Sequence, residues 1–157
     1  MRRDLGGGYE VDDDRARIDI DAVHGYIGGE SYWGRGRPRE KVVRTVAGSA
    51  RVVGLYHRGA QVGFARAVSD GVTIAYLADV YVLPAHRGRG LGLALVRETI
   101  EGGGDAGLQG LHWMLHTADA QGLYAKLGFS EGVQSYPLME KRRDARPLPQ
   151  AARARVQ

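Results

Sequence analysis

The stretch that most restricts the fold is VYVLPAHRGRGLG, residues 80–92, because it joins three different kinds of backbone within thirteen residues. An apolar run reaches Leu83 and is ended by Pro84. A basic, glycine-rich segment follows. From Leu91 the spacing of Leu91, Leu95, Leu93, Val96 and Ile100, with Arg97, Glu98 and Glu101 pointing away, predicts a helix packed on a sheet. Gly88, Gly90 and Gly92 carry no Cβ, so a ligand can approach the main chain where the first N–H groups of the helix lack partners. An anion suits that place, and a pyrophosphate is its natural occupant. Arg87 and Arg89 are expected to add mobile positive charge at the rim. A dinucleotide fingerprint would need glycine at position 93, where Leu93 stands, and no GxxxxGK phosphate loop occurs in the chain.

The elements around this unit define the fold class. Ahead of it lie three apolar runs, Arg51 to Tyr56, Gln61 to Val68 and Val72 to Leu83, separated by His57-Arg58-Gly59 and Asp70-Gly71. Such separators predict hairpins, and the nearly continuous apolar character of the third run predicts a central strand covered on both faces. Tyr9 to Val11 reads as a short strand, Ile20 to Ile27 as a short helix, and Pro38 to Ala47 as a second helix. Downstream, Leu111 to His116 reads as a strand and Ala120 to Leu127 as a helix capped by Asp119. A last strand is expected from Phe129 to Met139. The resulting order, βααβββαβαβ, is an α/β (α+β) domain with a mixed, mostly antiparallel sheet flanked by helices. Residues 1–8, MRRDLGGG, offer no buried face and are expected to be a frayed, disordered start. The domain is expected over 9–140.

Charge and cysteine content narrow the chemistry. The basic excess sits at the end of the chain, where Lys141, Arg142, Arg143, Arg146, Arg153 and Arg155 face only Asp144. That segment, 141–157, lacks hydrophobic periodicity and is expected to be a disordered tail, so nucleic acid is not the expected partner of the nearly neutral body. Cysteine is absent, which removes disulfides, thiolate metal sites and a cysteine-bound acyl intermediate. No apolar run approaches the roughly 18–20 residues of a membrane span, so a soluble cytoplasmic protein is expected. His112 and His116 share one face of the expected strand, but no third ligand has matching spacing, and no metal is expected.

Two ordered motifs carry a resemblance. Arg87, Gly90 and Gly92 directly after a valine-rich strand are similar to the coenzyme A signature of the GNAT family, Arg/Gln-x-x-Gly-x-Gly/Ala. Downstream, AQGLYAKLGF, residues 120–129, resembles that family's A-x-x-x-Y-x-K-x-G-F. The resemblance implies an N-acetyltransferase that uses acetyl-CoA, with the pantetheine arm inserted between the strands at 72–83 and 111–116. It implies that main-chain groups of Val80 and Val82 hold the arm, that the loop Arg87, Gly88, Arg89, Gly90, Leu91 and Gly92 holds the diphosphate, and that Tyr124 stands where the family has its general acid. Thr117 stands where the family often has asparagine, which leaves a pantetheine contact there in doubt.

The resemblance implies an amine acceptor, expected to belong to a small molecule sooner than to a protein, and such an amine must lose a proton before attack. Asp79, a carboxylate within an apolar strand, is the leading proton acceptor; burial should give it a raised pKa or a partner. A structural carboxylate bonded to main chain or arginine is an equal reading. Tyr76 and Tyr81 are outsiders for the same task. Tyr32, Trp33 and Arg37, in a glycine-rich segment where the family's substrate lid lies, are expected to line the acceptor pocket. There the aromatics would enclose a cation and Arg37 would pair with a substrate carboxylate. A coenzyme A-binding sensor without catalysis, or an anion or nucleic-acid binder acting through the tail, are the alternatives, and a homodimer stays open.

Overall fold

The computed structural model describes residues 1–103, 107–132, 139 and 141. Six strands form one sheet in sequential order: β1 (Arg2–Gly6), β2 (Tyr9–Asp12), β3 (Arg51–His57), β4 (Ala60–Ser69), β5 (Ile74–Val82) and β6 (His112–Met114). The first five pair antiparallel as a meander, and β6 joins β5 in parallel. Short turns make the β1–β2, β3–β4 and β4–β5 connections, while the antiparallel β2–β3 connection, residues 13–50, carries the helical segments that cover one face of the sheet. The parallel step needs a crossover, and α3 (Leu91–Glu101) supplies it. The mixed, mostly antiparallel sheet flanked by helices expected from the sequence is therefore present.

Both faces of the central strands are covered. On one side Val52, Phe64 and Tyr81 pack with Val23, Tyr26, Ile27, Val42 and Val46. These last residues belong to α1 (Ile20–His24), the π-helical turn Gly25–Glu30 and α2 (Arg39–Ala47). On the other side Val53, Leu55, Val62 and Val82 pack with Leu91 and Leu95 of α3. A smaller cluster of Leu77, Val96 and Tyr124 ties β5 and α3 to α4 (Gln121–Ala125).

One expectation is overturned at the N-terminus. Residues 1–8 are not a frayed start: Arg2–Gly6 is a strand in register with β2, pairing Arg2 with Asp12, Arg3 with Val11 and Gly6 with Tyr9. The glycines that suggested disorder are the turn itself, since Gly7 and Gly8 take φ of +62° and +81°. Two consecutive left-handed residues are what a two-residue hairpin turn demands. Charged side chains then find partners along the strand: Arg2 pairs with Glu10, and Arg3 reaches the buried Glu98 on α3 at 3.0 Å. The hairpin between β3 and β4 uses the same geometry at Arg58 and Gly59.

Elsewhere the differences are in extent. β5 starts at Ile74 rather than Val72, because the Asp70 carboxylate takes the amides of Val72, Thr73 and Ile74 into a turn. β6 is limited to His112–Met114. The strand expected from Phe129 to Met139 falls mostly outside the described residues, as does nearly all of the tail 141–157. No helix among the described residues is long and apolar enough to cross a membrane.

Candidate active site

The site is made by a departure of β5 from its neighbours. Against β4 its register jumps between the pairs Phe64–Tyr81 and Arg66–Ala78, which leaves Asp79 and Val80 opposite the single residue Ala65. This is a β-bulge, and Asp79 takes φ of +52° to make it. Against β6, pairing ends at Tyr76 opposite Met114. From Leu77 to Val82, β5 therefore has no strand on that edge among the described residues, and a wedge opens between it and the segment running from β6 into α4.

At the far end of the wedge stands the glycine loop. The Leu83 amide donates to the Val62 carbonyl of β4, so strand alternation turns the main-chain groups of Val82 toward the open edge. Gly88 and Gly90 both have φ of +74°, and Gly90 caps α3 without any side-chain bond to its first amides. A Cβ added at either glycine would meet nothing within 4 Å; the left-handed backbone, not crowding, is what calls for glycine there. Gly92 differs. A Cβ on it would lie 3.1 Å from Leu123 Cδ1, so its smallness lets α3 approach α4 rather than a ligand.

Arg87 is not the mobile rim charge expected of it. Its Nε donates to the Val82 carbonyl at 2.8 Å and its Nη2 to the Tyr26 hydroxyl at 2.9 Å. Tyr26 is itself stacked on Tyr81, with ring centroids 4.1 Å apart. The guanidinium thus ties the loop to β5, and the Val82 carbonyl, expected to serve pantetheine, is already engaged. Arg89 is exposed as well and has no ion pair among the described residues.

Two cavities meet in the wedge. One, of about 610 Å³, runs from the glycine loop along Val80, Val82 and Leu123 to Tyr124. The other, of about 480 Å³, is lined by Arg37, Arg66, Tyr76, Asp79, His116 and Thr117 among others. Tyr32, Trp33, Val80, Asp119, Ala120 and Tyr124 line both. Tyr124 is almost buried at this junction, with its ring edge-on to Phe129, and its hydroxyl makes no hydrogen bond among the described residues. Burial, with smaller contributions from Tyr32 and Asp119, pushes its phenol up to about 12. It therefore keeps its proton across the neutral range.

This architecture matches a known family model, described as the Acetyltransferase (GNAT) domain, over residues 48–131. The chain belongs to the GNAT family of acetyltransferases. It is similar to a candidate GNAT-family acetyltransferase from Xanthomonas campestris pv. campestris at 38% identity. That match has a TM-score of 0.78 and covers 85% of this chain and 92% of that one. A candidate acetyltransferase from Deinococcus radiodurans R1 shares the fold, with 23% identity, a TM-score of 0.68, and coverage of 91% and 94%. A curated relative, a candidate acetyltransferase from Gibberella zeae, is 30% identical in a match 117 residues long that covers 61% of this chain. The match spans only 66% of that relative's own length.

Within this GNAT site the acceptor side is built by side chains from distant segments. The Asp79 carboxylate, 4% exposed, accepts from Arg37 Nη1 and Arg66 Nε at 2.7 Å each and from Trp33 Nε1 at 3.1 Å. Burial alone would raise its pKa, but the Arg37 and Arg66 guanidiniums hold it below the usual carboxylate range. The expectation that Asp79 accepts the amine's proton is corrected on this ground: it accepts three hydrogen bonds, two of them from guanidiniums that make it a weak base, as the alternative reading of an arginine-bonded structural carboxylate has it. It is the anchor that fixes the bulge, offsetting the strain of its left-handed backbone.

Arg37 likewise spends one nitrogen on Asp79, and Trp33 is an anchored wall rather than a free stacking platform. Tyr32 is 63% exposed; its hydroxyl accepts from the Ala118 amide at 3.2 Å and its ring sits edge-on to Trp33, so it bridges the mouth of the wedge. Thr117 Oγ1 accepts from the Ala120 amide at 3.0 Å, just ahead of α4, whose first turn has no side-chain cap, so the capping expected of Asp119 does not occur. His116 faces the same cavity, its Nδ1 2.6 Å from the Tyr76 hydroxyl. Among the described residues, no three His, Asp or Glu side chains gather as a metal set. Sequence reasoning missed Arg66 and Tyr26, and considered His116 only as a metal ligand. The lone arginine in the apolar run GFARAV was the available signal for Arg66.

Proposed function

We propose that this protein moves an acetyl group from acetyl-CoA directly to a primary amine. The observation that carries the reading is the continuity of the two cavities, with an anion-suited glycine loop at one end and an isolated, protonated phenol where they join. The 610 Å³ arm takes the coenzyme: the open space over Gly88 and Gly90 admits diphosphate oxygens to main-chain amides, with Arg89 at the rim. The Val80 and Val82 amides lie along the unpaired edge of β5, where a preorganised N–H faces the oxygen on which charge develops. Transfer is direct, since the chain has no cysteine to carry an acyl group.

The amine attacks from the 480 Å³ arm. Its nitrogen bonds to the acetyl carbonyl carbon, the carbon–sulfur bond breaks, and Tyr124 gives its proton to the departing sulfur. The amine's own proton leaves toward His116. With Nδ1–H donating to the Tyr76 oxygen, Nε2 is left as the acceptor. Replacing Tyr124 with phenylalanine tests this reading by thiol release: turnover drops while coenzyme affinity holds. Unchanged turnover would remove Tyr124 from the reaction.

A further inference from the structure

We infer that the acceptor amine carries a carboxylate, so that the substrate is an amino acid or a related small aminocarboxylic acid rather than a polyamine. This rests on the acetyltransferase reading and narrows it.

The floor of the acceptor arm holds two guanidiniums and one carboxylate. Arg37 and Arg66 both bind the same oxygen of Asp79, Oδ2, each through one nitrogen. The other oxygen, Oδ1, is taken by the Trp33 indole. Asp79 is ionised, so one unit of positive charge is left over. A guanidinium has five N–H donors in a planar fork. Beyond Asp79, the bond partner of Arg66 among the described residues is Ser49 Oγ, at a long 3.5 Å, and Arg37 has none. Both side chains are largely buried, at 16% and 14% exposure, so the surplus charge is only partly hydrated. An uncompensated cation in such a place attracts a second anion, and a carboxylate fits the fork geometry.

The same charge disfavours the competing class. A polyamine would bring further positive charge toward two guanidiniums, and the acid that could offset it, Asp119, stands exposed at the mouth rather than on the floor. With the carboxylate at the arginines, the attached amine points back toward Val80 and Tyr124, where the two arms join. The aromatic wall of Trp33 and Tyr76 is left for the rest of the molecule.

The experiment uses the full chain and matched pairs differing only in the carboxylate: phenylalanine against 2-phenylethylamine, and lysine against cadaverine, with spermidine as a polycation. Thiol release gives kcat/KM, and calorimetry in the presence of coenzyme A compares N-acetylphenylalanine with N-acetyl-2-phenylethylamine. The expected result is a preference for the carboxylate member of roughly 10- to 100-fold. In Arg37→Gln protein that ratio should collapse toward one. Equal or reversed ratios in the wild-type protein overturn the inference whether or not that variant folds. So does failure of every carboxylate to react or bind while coenzyme A binds normally. Absence of coenzyme A binding would instead strike the acetyltransferase reading itself.

Discussion

The two arms of the wedge are built from different materials. The end of the coenzyme arm that is suited to an anion is mostly main chain: the open edge of β5, the left-handed glycines and the first turn of α3, all within residues 80–93. The acceptor arm is mostly side chain, drawn from the segment after α1, from β4, from β5 and from the end of β6. A site made of backbone tolerates loss of side chains and is damaged by added atoms. A site made of converging side chains behaves the other way.

The largest effect should come where the arms meet. Tyr124→Phe is expected to lower kcat by about 10²- to 10⁴-fold with coenzyme affinity unchanged, measured by thiol release and calorimetry. His116→Gln should lower kcat/KM by about 10²-fold on the acceptor side alone, and this measurement separates proton acceptance from binding.

On the coenzyme arm, Gly90→Val adds atoms and forbids the left-handed backbone. Affinity for coenzyme A should fall by about 5- to 30-fold, as expected from a conformational cost of about 1–2 kcal/mol. On the acceptor arm, Asp79→Asn removes charge without adding atoms. Chemical denaturation should show a loss of about 2 kcal/mol, below the 3–5 kcal/mol of a fully buried pair because the arginines are partly solvated. The sign of its pH dependence follows from a pKa lowered in the folded state. The contribution is present above the unfolded value near 3.9 and is lost as pH falls through the folded value. The stability gap between wild type and Asp79→Asn should therefore close as pH drops below about 4. The smallest effect is expected at Arg89→Ala: a few-fold, salt-sensitive loss of coenzyme affinity, since an exposed charge adds less than about 1 kcal/mol.

The same contrast explains what could be read from the sequence. The coenzyme arm is local, so a valine-rich strand, three spaced glycines and a helical repeat of leucines announced it directly. What stayed hidden even there was a matter of tertiary partners: Arg87 turns back to Val82 and Tyr26, and Gly92 serves Leu123. The acceptor arm depends on register. Arg66 reaches Asp79 only because the bulge shifts β5 by one residue against β4, and no spacing rule exposes that shift. The glycines at 6–8 misled for a related reason: out of context they suggest disorder, but with β2 alongside they form a turn.

The central claim is that main-chain amides around Gly88 and Gly90 grip coenzyme A. Calorimetric titration of the full chain with coenzyme A, run beside Gly90→Val protein of matching melting temperature, tests it most directly. The account predicts one saturable site in the wild-type protein and at least about fivefold weaker binding in the variant. A flat titration of the wild type, or equal affinity in the two proteins, would contradict it.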